Sequence, residues 1–203
     1  METTALHSPL WGGLVLITAA AALVTLAVLH VLPTGLAPTS AAVSQYGISR
    51  YRLGYRVLTV SMGAAGLTAA AGVAATFPSD DRTAAVVLLV VFGVCRLVIS
   101  WFPMDEPGTR PPTSTGITHG LLAIVTFVSA ALAASRMHRA VNRIGGFGGY
   151  DTALQVAVWV TAVGIVGMLL VRRTPLHRWF GAVERLGYVG ILVLLFATGA
   201  ALV

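Results

Sequence analysis

Between Val94 and Ala123 the chain reads VCRLVISWFPMDEPGTRPPTSTGITHGLLA. An apolar run closes at Trp101 and Phe102, and Pro103 stops it. A polar stretch rich in Pro, Gly and Thr then leads into a second apolar run that opens with Thr118 and His119. Proline lacks the N–H a helix interior needs, and Ser114 or Thr115 supplies a capping hydroxyl for the next helix. Two long apolar segments joined by a polar turn are the pattern of two membrane-spanning helices.

Working outward, the same pattern recurs along the chain. Apolar runs at about 11–32, 56–77, 84–102, 117–135, 153–171 and 180–203 are each long enough to cross a hydrocarbon core. The expected fold is an all-α integral membrane protein: one transmembrane helical domain, a bundle of six transmembrane helices, with no separate soluble module. Composition agrees, since 57% of the 203 residues are hydrophobic and 10% are charged, against roughly 25% charged in soluble domains. The formal charge of +6 is carried by thirteen arginines. They cluster at span ends, where they orient a membrane protein, so nucleic acid is excluded as a partner. The single Cys95 forms no intramolecular disulfide and reads as an inert buried thiol. The first run lacks a basic leader and reads as a retained helix rather than a signal peptide.

Parity places the connections between spans 1–2, 3–4 and 5–6 on one side. That side carries Arg50, Arg52, Arg56, Arg110, Arg172, Arg173, Arg178 and Arg185, against Arg82, Arg136, Arg139 and Arg143 on the other. The excess of arginine predicts a multi-pass protein of the cell membrane with these connections in the cytoplasm and both termini outside.

The few polar residues inside the spans stand out. Arg96 lies roughly 10 Å below Pro103 at the helical rise, with Ser100 one turn further along the same face. An arginine at that depth snorkels, pairs with an acid or faces a wet cavity. Asp105 and Glu106 follow it, and His119 heads the next span, so an acid and a histidine are expected as neighbours. His30, Ser44, Tyr46, His177, Glu184, Arg185 and Tyr188 fall toward the same side. Residues 34–55 form a long polar connection, read either as an amphipathic segment on the membrane surface or as a flap over a polar site. Elsewhere the blander readings hold. Gly63, Gly66, Ala70 and Gly72 permit close helix packing, Asp80-Asp81 is a solvated turn, His7 and His138 belong to tail and loop, and the GGFGG core of residues 136–152 is a linker rather than a phosphate loop.

Phe102-Pro103-Met104-Asp105 followed by Thr118-His119-Gly120, with Ser44-Gln45-Tyr46-Gly47 before the second span, resembles the bacterial and archaeal integral membrane family called domain of unknown function 998. The resemblance extends over nearly the whole chain. It implies the six-span fold and points to Asp105 and His119, while implying no activity.

Two functions follow as expectations. The first is an intramembrane enzyme acting on an amphiphilic or isoprenoid (terpenoid) substrate, for example by protonation-initiated cyclisation. Here Asp105 is the acid or base, assisted by His119 and Glu184. Arg96 and Arg185 would hold an anionic head, and Ser44, Tyr46, Trp101 and Tyr188 would line the site, the aromatic rings stabilising a cation. The alternative is a non-catalytic protein that binds lipid or transports a small solute, with Arg96, Asp105, Glu184 and His119 in a buried network. Both imply membrane lipid or a hydrophobic small molecule as partner. No cofactor is expected: zinc held by His30, His119 and Asp105 lacks a recognisable ligand spacing, and haem between His30 and His119 rests on the two histidines alone.

Overall fold

The computed structural model describes residues 9–145, 148–172 and 174–203, with the side chains of residues 79–81 outside the description. Readings that fall on His7, on Gly146-Phe147, on Arg173 or on the carboxylates of Asp80 and Asp81 therefore lie outside the described residues.

Six α-helices form among the described residues: α1 (Pro9–Val31), α2 (Arg52–Thr76), α3 (Ser79–Val98), α4 (Ser114–Ile144), α5 (Tyr150–Val171) and α6 (Phe180–Leu202). All six segments are long and apolar enough to cross a membrane. In lipid every backbone polar group must be satisfied within the segment, which is why runs of this composition become helices. Short 3-10 helices interrupt the connections at Val43–Ile48, Ile99–Trp101 and Pro175–Trp179.

Each helix packs against its neighbour in sequence, and α1 closes the ring against α6. The ring is not hollow. α6 also touches α2 and α4, and it is the most buried helix, whereas α1 and α5 are the least. Lipid offers no hydrophobic drive between helices, so close packing of small residues holds the bundle together. At the α2–α3 crossing a Cβ added to Gly63 would stand 2.8 Å from the carbonyl oxygen of Gly93. The small residues of α2 thus serve packing.

α4 differs from the sequence reading. It continues past Ser135 to Ile144 and absorbs a stretch assigned there to a loop. Met137, Ala140 and Val141 are buried at helical spacing while Arg136 and Arg139 face out, so the last turns of the helix are amphipathic. The charges that lower its hydropathy sit on one face only. α2 likewise starts earlier than expected, at Arg52.

Candidate functional site

The 1–2 connection folds inward as a flap across the start of α6. Ala41, Ala42, Val43 and Tyr46 are buried, which a segment lying on the membrane surface would not achieve. Its backbone is fastened directly to α6: Ala182 N–H donates to Thr39 O at 2.9 Å, and Val43 N–H donates to Glu184 Oε2 at 2.6 Å. The approach requires glycine at position 181, where a Cβ would meet the carbonyl oxygens of Ala41 and Pro38.

Arg185 completes the fastening. Nη1 donates to Ala41 O at 2.8 Å and Gly181 O at 2.9 Å, and Nη2 reaches the Tyr46 hydroxyl at 3.4 Å. Nε donates to His30 Nε2 at 2.6 Å, while His30 Nδ1 lies 2.6 Å from Leu26 O. These two contacts assign the tautomer. A guanidinium only donates, so Nε2 accepts and Nδ1 carries the proton given to Leu26. His30 also meets the edge of the Tyr46 ring at 6.0 Å. α6 is far in sequence from α1 and the flap that follows it, yet one arginine fork ties all three together. Ser44 lies further along the flap, with its hydroxyl 3.1 Å from Met104 Sδ in the 3–4 connection.

Beneath the flap lies Arg96, 2% exposed. Nη1 donates to the Tyr188 hydroxyl at 3.1 Å and Nη2 faces Met62 Sδ at 3.1 Å. The guanidinium also stands 5.0 Å over the Tyr188 ring, whose edge packs against Phe127 at 5.7 Å. Neither hydrogen-bond partner is charged, and thioether sulfur is a weak acceptor. Glu184 and Tyr55 lie within electrostatic reach of Arg96, but the Glu184 carboxylate accepts from the flap. Among the described residues, three buried polar atoms of this end have no hydrogen-bond partner: Arg96 Nε, Tyr55 Oη and Ser100 Oγ. Buried donors are almost always satisfied, so such a group marks a special position.

The 3–4 connection is organised differently. Asp105 accepts from Thr113 N–H at 3.0 Å and from the Thr113 hydroxyl at 2.5 Å. The Thr113 oxygen in turn accepts from Gly116 N–H at 3.0 Å. Thr113, rather than Ser114 or Thr115, is thus the N-cap of α4. The carboxylate covers Gly116, leaving no room for a Cβ there. His119, buried on α4, has Nδ1 2.7 Å from Phe102 O and satisfies the carbonyl at the end of the Ile99–Trp101 turn. Asp105 therefore lies in the connection and His119 at the start of α4, and each holds a separate partner. Trp101 is half-exposed beneath the Arg56 guanidinium at 4.9 Å, on the outer surface of the bundle.

Of the residues singled out in the sequence, the structure brings Glu184, Arg185 and Tyr46 together at the flap, and Arg96 and Tyr188 below it. Ser44 lies on the flap but turns to Met104, and Trp101, Asp105 and His119 lie elsewhere along the same end. The sequence does not single out Tyr55, Met62, the Val43 amide or Thr113: Tyr55 closes the polar 34–55 connection with nothing to mark its burial, and a backbone amide leaves no signal at all. Among the described residues no three His, Cys, Asp or Glu side chains gather in a way that would hold a metal ion.

The six helices, the flap ahead of α2 and the capped turn ahead of α4 are the frame in which the comparison with known proteins falls. The chain belongs to the DUF998 family. The family model, described as a protein of unknown function (DUF998), matches residues 15–201. That span takes in the whole flap, the Arg96 centre and the 3–4 connection. No curated protein and no solved structure matches the chain.

Proposed function

We propose that this DUF998 protein binds the polar, anionic head of an amphiphile or a small polar solute inside the membrane, without chemical turnover, at Arg96 beneath the flap. The observation that carries the reading is the fully buried guanidinium whose Nε–H has no acceptor. A charge at such depth costs about 2.5–3.5 kcal/mol on insertion scales. A neutral tyrosine and a thioether offset little of that cost, whereas an incoming anion would take the free Nε–H and charge-assisted bonds. Tyr55 and Ser100 offer hydroxyls from α2 and from the turn after α3. The flap, fastened through Glu184 and Arg185, would cover the bound group.

The non-catalytic reading is preferred to an acid-initiated reaction on an isoprenoid because both Asp105 oxygens are engaged at the start of α4. Trp101, one of the three rings expected to stabilise a cation alongside Tyr46 and Tyr188, faces outward. The arginine excess of the 1–2, 3–4 and 5–6 connections supports their placement in the cytoplasm, in the cell membrane.

Native mass spectrometry with lipid extraction on wild type, Arg96→Gln and Asp105→Asn tests the reading. A specific amphiphile or solute held by wild type and Asp105→Asn but lost from Arg96→Gln is the expected result. Loss from Asp105→Asn alone, or chemical alteration of the ligand by wild type, would overturn it.

A further inference from the structure

A second candidate site lies on the outer side of the flap and shares no residue with the Arg96 centre. Thr39, Ser40, Arg178 and Trp179 line a crevice of about 180 Å³ between the flap and the 3-10 helix Pro175–Trp179. Its walls are held in place. Ser40 and Ala41 N–H groups donate to Ala37 O, Ala182 N–H donates to Thr39 O, and Arg185 bridges Ala41 O and Gly181 O.

The polar side chains facing this crevice are not spent elsewhere. Among the described residues, the hydroxyls of Thr39 and Ser40 and the guanidinium of Arg178 make no hydrogen bond to the protein, and all three residues are exposed. Lining one crevice, a planar cation and two hydroxyls supply the kind of donors that recognise tetrahedral phosphate. Among the described residues no carboxylate lines the crevice, so none there offsets the charge of Arg178 or holds a choline-type cation. Trp179 is half-exposed beside them, at the end of the bundle that carries most of the arginines. Indole rings concentrate at the headgroup level of a bilayer.

We propose that this crevice binds the phosphate of an anionic membrane lipid, selecting a phosphodiester with an uncharged head alcohol over a zwitterionic one. Such a lipid would seat its phosphate on Arg178, Thr39 and Ser40, lay its chains along the apolar surface and tie the flap to α6 from outside. This inference stands independently of any ligand at Arg96.

The test is native mass spectrometry of the full chain titrated with phosphatidylglycerol, with phosphatidylcholine, and with inorganic phosphate as competitor. Wild type should retain one phosphatidylglycerol per chain in preference to phosphatidylcholine. Arg178→Gln and the double variant Thr39→Val/Ser40→Ala should bind it about tenfold more weakly, as expected for losing charge-assisted bonds. Arg139→Gln, which alters an exposed arginine at the opposite end, should bind as wild type. Equal retention of the two lipids by wild type overturns the assignment, as does wild-type binding by Arg178→Gln. Displacement by millimolar inorganic phosphate would identify a soluble anion as the occupant and overturn the lipid assignment.

Discussion

The backbone N–H of Val43 meets the buried carboxylate of Glu184 at 2.6 Å, across 141 positions of sequence. An acid inside a membrane bundle usually answers a cation. Here its oxygen answers the first turn of the 3-10 helix in the flap, which leaves Arg96 with neutral partners. Flap and buried charge are thereby joined through one side chain.

If Glu184 holds the flap, its removal should free the flap before the bundle. Glu184→Ala strands the Val43 amide, a loss on the order of 1–3 kcal/mol for an unsatisfied buried donor. Glu184→Gln keeps an acceptor and should cost less. Hydrogen exchange of residues 39–48 is the readout. Faster exchange there in Glu184→Ala, with α2 and α5 unchanged, is expected; uniform acceleration across all helices would deny the flap a separate anchor.

Arg185 and His30 should be energetically coupled. Their bond is 2.6 Å, and the histidine tautomer is set by Leu26. A double-mutant cycle of His30→Ala and Arg185→Gln should give a coupling of about 0.5–3 kcal/mol, the range for residues in one network. Arg185→Lys should fall near Arg185→Gln in thermal stability, because a point charge cannot reproduce a fork that reaches α1, the flap and α6. Additive effects in the cycle would mean that the contact carries no energy.

Asp105 should behave as the support of the Thr113 cap. Asp105→Ala is expected to lower stability by about 0.5–2 kcal/mol, the usual loss for helix capping. Gly116→Ala should destabilise because the carboxylate occupies that space. Combined, the two should cost less than their sum, since removing the carboxylate makes room for the methyl. Thermal unfolding in one detergent decides the matter; strict additivity would mean the carboxylate does not press on Gly116.

Arg96→Met separates a binding site from a structural joint. Replacing a buried charge whose partners are neutral by an apolar side chain removes its burial cost, about 2.5–3.5 kcal/mol on insertion scales. A binding arginine predicts an unchanged or higher melting temperature together with loss of the retained ligand. A fall of many degrees would show that Tyr188 and Met62 need the guanidinium to pack.

Much of this protein is legible in its residues. Six apolar runs, the arginine bias between the two ends, and the gathering of Arg96, Glu184, Arg185 and Tyr188 toward one end all follow from the chain. Hydropathy and helical rise are local properties, and parity carries them into three dimensions. The flap was open to two readings in sequence, and burial of Val43 and Tyr46 decides between them.

Partner choice was not legible. Asp105 in the 3–4 connection and His119 just beyond it are close in sequence, yet Thr113 takes the acid and Phe102 O takes the histidine. Glu184 and Arg96 are the obvious buried pair, yet the acid turns to Val43 and the arginine to Tyr188. Each helix can rotate about its axis without changing its span, and a rotation of one residue, about 100° for a 3.6-residue turn, exchanges every neighbour. Sequence sets which residues reach a given depth and end. Only the closing of α1 onto α6, with the flap drawn over Gly181, decides which of them touch.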